Sequence, residues 1–374
     1  MVEELLASGA EQEDIESGNV SSELVSIEAL RHSLLLGLAE QLGDEINTVR
    51  GQPLRQSLLI KPSPKYLKDS SFEEPHRRGE ILVAAVLNAF VHMFDARVKS
   101  LDPTNQGQYN LSRVVEEAAK ASQHLMTIVI RALDYCMPVH LTFSDYLSAL
   151  MTSDAEIVGD DTAYHYRAHL LRSFAAFGIV PASTENSAIE GGWIGCFELA
   201  MGLNYSRTHF GSFHTNAEEV YRFIWENREL LDISEDVYTR VIDVRPCLRI
   251  TPEGFPISET VVQYVQYADI EARELWSRFR IKRPSSHGYE MQASTRLTLH
   301  GGGTLIFDQH GRLKYNIVSP IKDEKQSDRL EYLWERGYFR EKERPVTARG
   351  FALLHRLRAL GLDSTETTSE EGWV

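Results

Sequence analysis

Histidine spacing is the first feature of this sequence that suggests chemistry, because imidazole binds metals and moves protons near neutral pH. His165 and His169 are four residues apart, so they share one face of a predicted helix. Tyr166 stands where the H-E-x-x-H zinc motif has its glutamate, and that motif occurs nowhere in the chain. The spacing therefore favours a structural or exposed pair over a zinc site.

A run of three glycines, Gly301–Gly303, suggests a phosphate-binding loop. It lies between two predicted strands, and neither a helix start nor a Lys-Ser/Thr pair follows it. We therefore interpret the run as a β-turn or a bulge. The chain contains no G-x-S-x-G elbow and no Cys/His nucleophile signature. Residue motifs alone leave the function open.

The composition is that of a folded globular protein. The 374 residues are 43% hydrophobic, 9% aromatic and 25% charged, which suits two or three ordinary domains. The net charge of −15 opposes a polyanion, so we expect no nucleic acid partner. Three scattered cysteines, Cys136, Cys196 and Cys247, indicate a reducing compartment rather than a disulfide framework.

The N-terminus and the apolar runs predict a cytoplasmic protein without a membrane partner. The chain begins Met-Val-Glu-Glu and its first basic residue is Arg31, which does not fit a secretory signal. The longest uninterrupted apolar run, Ile81–Leu87, is well short of the roughly 18 residues that a membrane helix needs.

Periodicity predicts helices followed by strands, and hence the α+β class. Residues 24–182 form a helical domain, with helical segments at Glu28–Leu42, Glu80–Val98, Ser112–Tyr135, Phe143–Met151 and Thr162–Phe177. Residues 183–235 connect it to a small antiparallel β domain at 236–322, which C-terminal helices at 323–361 follow. Residues 1–23 and 362–374 are acidic tails that we expect to be disordered.

Two elements are predicted in more detail. The helix Ile81–Phe94 is apolar at nearly every position, so we expect it to be the central helix and to be buried on all sides. The segment Leu305–Tyr315 predicts a hairpin that turns near His310 and Gly311.

The helical stretch Ile128–Ile179 contains, in order, Arg131-Ala132-Leu133, Pro138, Phe143 and Phe174–Ile179. This order resembles the C-terminal helical subdomain of thermolysin-like zinc metallopeptidases, the gluzincins. Downstream, His300–Asp308 is similar to a β-domain strand of a larger cytoplasmic, bacterial group of that kind. The resemblance implies an all-α thermolysin-like subdomain followed by an appended β domain.

The resemblance also supplies candidate catalytic residues. His76 matches a family histidine that precedes a Gly turn and the central helix, and Arg55 matches an arginine that contacts the substrate carbonyl. In such an enzyme both side chains donate hydrogen bonds to the developing oxyanion. Glu74, or its neighbour Glu73, is the candidate acid that orients the His76 imidazole and keeps it protonated.

The zinc-ligand half of the family is missing. Only about 50 residues precede Arg55, where the resemblance begins. Glu28-Ala29 is similar to the start of the helix that carries the third zinc ligand, but His32 stands where that helix has its aspartate. We interpret Glu28 as a solvated helix residue. We therefore expect no cofactor in this chain, with zinc present only if a partner or a missing half supplies the ligands.

Two functions follow from these observations. The chain is either the substrate-side part of a gluzincin-type metallopeptidase, partial or degenerate and inactive alone, or a non-catalytic interaction protein on a peptidase-derived scaffold. In both cases the expected partner is a peptide or a protein, and in the first it includes a zinc-bearing peptidase half. The sequence does not determine whether the chain is an enzyme.

Overall fold

The computed structural model describes residues 18–29, 60–72, 75–104, 107–183, 187–250, 254–286 and 289–335. The chain divides into two units. The helical unit comprises Met1–Tyr135, Thr142–Ile194 and Thr251–Gly254, and the sheet unit comprises Cys136–Leu141, Gly195–Ile250 and Phe255–Val374. Helices and a four-stranded antiparallel sheet are both present, which confirms the predicted α+β class.

The described part of the helical unit contains β1 (Asn19–Ser21), α1 (Pro75–Val98), β2 (Gln108–Asn110), α2 (Leu111–Ala132), α3 (Phe143–Ile157) and α4 (Tyr166–Ala176). Asn110 caps α2 by accepting a hydrogen bond from Arg113 N. Thr142 and Asp145 form a reciprocal capping box that starts α3. These local signals agree with the helices predicted from periodicity.

The apolar helix α1 is buried on only part of its surface. It packs against α2 and α4, and Ile81, Ala85 and Phe94 are at most 1% exposed. Val83 is 37% exposed, so the expectation of burial on all sides is wrong, because the described helices do not surround α1. Residues 77–98 are long and apolar enough to span a membrane, yet half of the qualifying window is buried in the protein, as in a core helix.

The described part of the sheet unit contains α5 (Phe197–Gly202), α6 (Phe210–Phe213), α7 (Ala217–Glu226), β3 (Tyr238–Ile250), β4 (Pro256–Glu271), β5 (Ser285–Ser286), β6 (Tyr289–Glu290), β7 (Arg296–Phe307), β8 (Leu313–Ser319) and α8 (Lys325–Glu335). The main sheet has the antiparallel order β3-β4-β7-β8. Its core includes Phe213, Phe223 and Phe307, whose ring centroids are 4.9–5.7 Å apart. The β7–β8 turn, with Gly311 at φ 76°, confirms the predicted hairpin.

The glycine run Gly301–Gly303 lies inside strand β7, so its interpretation as a turn or bulge is wrong. A Cβ at these three positions would collide with backbone atoms of Ile321, Tyr264 and Ile317, respectively. Neighbouring backbone therefore approaches β7 more closely than any side chain allows. The sequence did not show this because the colliding atoms belong to other segments.

The sheet unit also includes residues 136–141, which lie between α2 and α3 in the sequence. The Cys136 carbonyl accepts a 2.6 Å hydrogen bond from Thr304 Oγ1 on β7. His140, at φ 61°, places Nε2 3.0 Å from the His300 carbonyl oxygen. Burial, followed by the nearby Arg329 charge, lowers the pKa of His140 to about 4.

Several predicted segments lie outside the described residues. They are residues 1–17 and 362–374 of the two acidic tails, the predicted helix Glu28–Leu42 beyond residue 29, and the last predicted helix within 336–361.

Candidate functional site

The candidate catalytic residues inherited from the gluzincin resemblance are not described in the structure. Arg55, Glu73 and Glu74 lie outside the described residues, and so does the side chain of His76 at the second position of α1. Whether these groups share a groove therefore stays a prediction.

The histidine pair has a different arrangement from the one its spacing suggests. His165 precedes α4 at φ 52°, whereas the His169 ring stacks in parallel on His92 of α1, with centroids 5.9 Å apart. Burial, followed by the His92 charge, lowers the pKa of His169 and favours its neutral form. In the part of the chain that the structure describes, no group of three or more His, Cys, Asp or Glu side chains is placed to hold a metal ion.

A cleft of about 910 Å³ opens on the sheet unit, a volume within the range of ligand-binding sites. Helices α5 and α6, the β7–β8 turn, strand β8 and the start of β4 form its walls. The wall formed by β4 and β8 contains charged side chains, and the wall formed by α5 and α6 contains large apolar ones.

The charged wall contains a buried carboxylate, Glu259 of β4, which is 0% exposed. It forms ion pairs with Arg249 of β3 and, at 2.9 Å, with Lys314 Nζ of β8. The Arg249 side chain is 5% exposed and the Lys314 side chain 29%. One carboxylate between two cations leaves this cluster with a net positive charge, and its cation that reaches the cleft is Lys314. Asp308 and Arg312 of the β7–β8 turn also line the cleft, and their charges offset each other. This wall favours an anionic group on a ligand.

The apolar wall contains Phe197 and Met201, one turn apart on α5 and 74% and 77% exposed. The rings of Tyr205 and Phe210 stack with centroids 6.2 Å apart. Phe210 lies directly over Gly311, where a Cβ would collide with its ring. The glycine in the β7–β8 turn is therefore needed for the shape of this wall as well as for its own positive φ.

The cleft also contains a cysteine whose role is structural. Cys196 N donates a 2.9 Å hydrogen bond to Lys314 O, and Cys196 Sγ accepts one of 3.1 Å from Asn316 N. Burial raises the pKa of this thiol, which keeps it protonated at neutral pH and weakens it as a nucleophile. Cys196 thus attaches the start of α5 to the edge of β8.

The helical unit holds a second buried carboxylate, Asp154 of α3, which is 1% exposed. Its oxygens lie 2.6 Å from His124 Nε2 on α2 and 3.1 Å from an Arg167 nitrogen on α4. Arg167 also donates to the carbonyl oxygens of Val158 and Gly159. These contacts join three helices, so the cluster stabilises their packing.

Sequence reasoning missed the cleft, although one signal pointed to it. Glu259 lies two residues before Val261 in a strand, so alternation places it on the same face as an apolar residue. A charged residue at such a position requires a partner of opposite charge. The exposure of Phe197 and Met201 had no sequence signal, because their i,i+4 spacing is equally typical of a buried helix face.

No protein-family model, no curated protein and no solved structure matches this chain.

Proposed function

We propose that this protein is a non-catalytic interaction protein whose sheet-unit cleft binds a peptide. The observation that carries the proposal is the exposure of Phe197 and Met201, 74% and 77%, in a cleft whose other wall presents Lys314. Large apolar side chains that stay exposed in a concave surface are typical of recognition sites. The flexible Met201 side chain also adapts readily to different occupants.

A peptide fits this cleft better than a small metabolite does. Small-molecule sites enclose roughly 70–90% of the ligand surface. Here two large wall residues face solvent over about three quarters of their surface, so the cleft is open. An extended peptide can place an apolar side chain against Phe197 and Met201 and an acidic group near Lys314.

The dye anilinonaphthalene sulfonate combines an apolar ring system with an anion, so it serves as a probe of the cleft. The folded protein should bind it with enhanced fluorescence, and Met201→Asp should weaken binding about tenfold, since it places a charge in the apolar wall. Leu248→Asp is the matched control. Leu248 is also 77% exposed, but strand alternation places it on the opposite face of β3 from Arg249.

Peptides selected from a random library on the folded protein give the second measurement. They should carry an apolar residue close to an acidic group, and they should displace the dye. The proposal fails if Met201→Asp and Leu248→Asp bind the dye equally well, or if the selected peptides bind without displacing it.

The relation to gluzincin peptidases remains a prediction, because no comparison with known proteins tests it. Elemental analysis of the purified chain should find no stoichiometric zinc, and added peptides should stay intact. One tightly held zinc per chain together with chelator-sensitive cleavage would replace the interaction function with an enzymatic one.

A further inference from the structure

A second surface of the sheet unit concentrates positive charge in a chain whose net charge is −15. Residues 273–283, here named the basic segment, contain five basic residues and one acidic residue. The cations are Arg273, Arg278, Arg280, Lys282 and Arg283. The segment also contains Trp276, which is 55% exposed.

The basic segment is held in place by its apolar residues. Leu275, Phe279 and Ile281 are at most 5% exposed and share a core with Leu330 of α8. Trp276 and the basic side chains between these residues face solvent. Because the backbone is fixed by the core, the exposed groups are presented on a rigid support, which lowers the entropy lost on binding.

Arg280 occupies a backbone conformation that suits glycine. It follows the π-helical turn Leu275–Phe279 at φ 61°, and Arg280 N and Ile281 N each donate a 3.2 Å hydrogen bond that closes this turn. A residue with a Cβ is less favourable than glycine in this region. The guanidinium held there lies 5.9 Å from the centroid of the Trp276 ring. Backbone strain and exposed binding groups thus coincide.

Three of the five cations are neutralised within the unit. The pairs are Arg273–Glu271 at 2.8 Å, Arg278–Glu274 at 3.6 Å and Arg283–Glu290 at 3.0 Å. For Arg280 and Lys282 the described residues provide no ion-pair partner. Arg280 lies beside the exposed Trp276, and Lys282 is exposed two residues further along the chain, so both charges are available to a partner.

We propose that Trp276, Arg280 and Lys282 form a docking surface for an acidic segment of a partner protein. Tryptophan and arginine are the residues most enriched at the energetic centres of protein interfaces, and guanidinium groups pair with carboxylates through charge-assisted hydrogen bonds. The chain's negative net charge repels a polyanion such as nucleic acid or an anionic bilayer at long range. A short acidic segment responds mainly to charges within a Debye length of roughly 8 Å.

This proposal is independent of peptide binding in the cleft, because the two surfaces share no residue. The test uses the full chain and a fluorescein-labelled peptide of alternating aspartate and glutamate, which carries no apolar side chain for the cleft. Fluorescence anisotropy should show saturable binding that weakens as salt is added. Met201→Asp, in the cleft, should leave this binding unchanged.

Arg280→Gly is the decisive variant. Glycine suits the positive φ, so the variant should unfold at the same temperature as the parent chain or a higher one, while its affinity for the acidic peptide should fall about tenfold. Trp276→Ala should lower the affinity for the acidic peptide by a similar factor. Arg113→Gln removes the same charge at an exposed site on α2 and should have no effect.

Two results would overturn the proposal. One is unchanged peptide affinity in an Arg280→Gly variant that is at least as stable as the parent chain. The other is tighter binding of oligouridylate, or of phosphatidylserine vesicles, than of the acidic peptide, which would assign the surface to a polyanion.

Discussion

The two buried carboxylates, one in each unit, have the same chemistry in different surroundings. Asp154 in the helical unit is bonded by a histidine and an arginine, and Glu259 in the sheet unit by an arginine and a lysine. Both are at most 1% exposed. A buried carboxylate is tolerated only where opposite charges and hydrogen bonds replace its water.

The two clusters differ in what their cations contact besides the carboxylate. Besides Asp154, Arg167 contacts backbone carbonyl oxygens of its own unit, so that cluster contributes to helix packing. Besides its ion pair with Glu259, Lys314 lines an open cleft. A buried charge therefore does not identify a binding site by itself; an open cleft beside its partner does.

Glu259→Gln should have the largest effect on stability. It leaves the guanidinium of Arg249, only 5% exposed, facing a neutral amide, and the loss of one partner of a buried pair costs about 3–5 kcal/mol. Urea unfolding measures this loss. Glu218→Gln, on the exposed face of α7, is the control and should change the free energy of unfolding little.

Replacing both Glu259 and Arg249 tests whether the buried charge causes this loss of stability. Glu259→Met combined with Arg249→Leu removes the buried charges together, so it should be less destabilising than Glu259→Gln alone. A double variant that is as unstable as the single one would show that the cost arises from packing rather than from the buried charge.

Asp154→Asn should lower the free energy of unfolding by about 1–3 kcal/mol, less than Glu259→Gln does. Arg167 keeps its bonds to the carbonyl oxygens of Val158 and Gly159 and its pairing with Asp161 at 3.9 Å, so its guanidinium retains partners after the substitution. Parallel urea titrations of the two variants test the order. A larger loss for Asp154→Asn would reverse the comparison.

His140 should make stability depend on pH. Its pKa is about 4 in the folded protein, whereas the unfolded chain takes up this proton near pH 6.5. The unfolded state thus binds more protons between these values, so stability rises with pH across this window and is constant above it. We expect the free energy of unfolding to rise by about 1–2 kcal/mol across this window, a value that allows for the partial exposure of the ring.

His140→Asn tests this contribution, because asparagine tolerates the positive φ of 61°. Urea midpoints compared at about pH 5 and pH 8 should differ less in the variant than in the parent chain. An unchanged difference would exclude His140 as a source of the pH dependence.

Lys314→Met should have the smallest effect on stability, about 1 kcal/mol or less, because the side chain is 29% exposed and Glu259 keeps Arg249. Its effect on the cleft should be larger. The affinity for anilinonaphthalene sulfonate should fall severalfold, since the sulfonate loses one of the cations that line the cleft. Unchanged dye affinity would show that the Glu259 cluster does not contribute to ligand binding.

The sequence predicted the elements whose signals are local. Alternation located β4 and β7, and one-sided apolar spacing located α2, because each pattern follows directly from backbone geometry. The burial of α1 was overestimated because composition does not report how many neighbours a helix has. Gly301–Gly303 were misread for a related reason, since the atoms that exclude a side chain lie on other segments.

The candidate site was less predictable than the fold. The cleft depends on pairs such as Lys314 with Glu259, 55 residues apart, and no local pattern links them. Asp154 was missed in the same way, because its burial is decided by helices that precede and follow α3. The catalytic residues implied by the gluzincin resemblance, His76, Arg55 and Glu74, remain to be tested.

The hydrogen bond from Thr304 to the Cys136 carbonyl has a consequence for synthesis on the ribosome. The two residues are 168 positions apart, and at roughly 5–20 residues per second the acceptor is made about ten to thirty seconds before its donor. Both helices that flank residues 136–141 are synthesised before Thr304 is. Residues 136–141 therefore wait for strand β7 before they can form their native contact with the sheet.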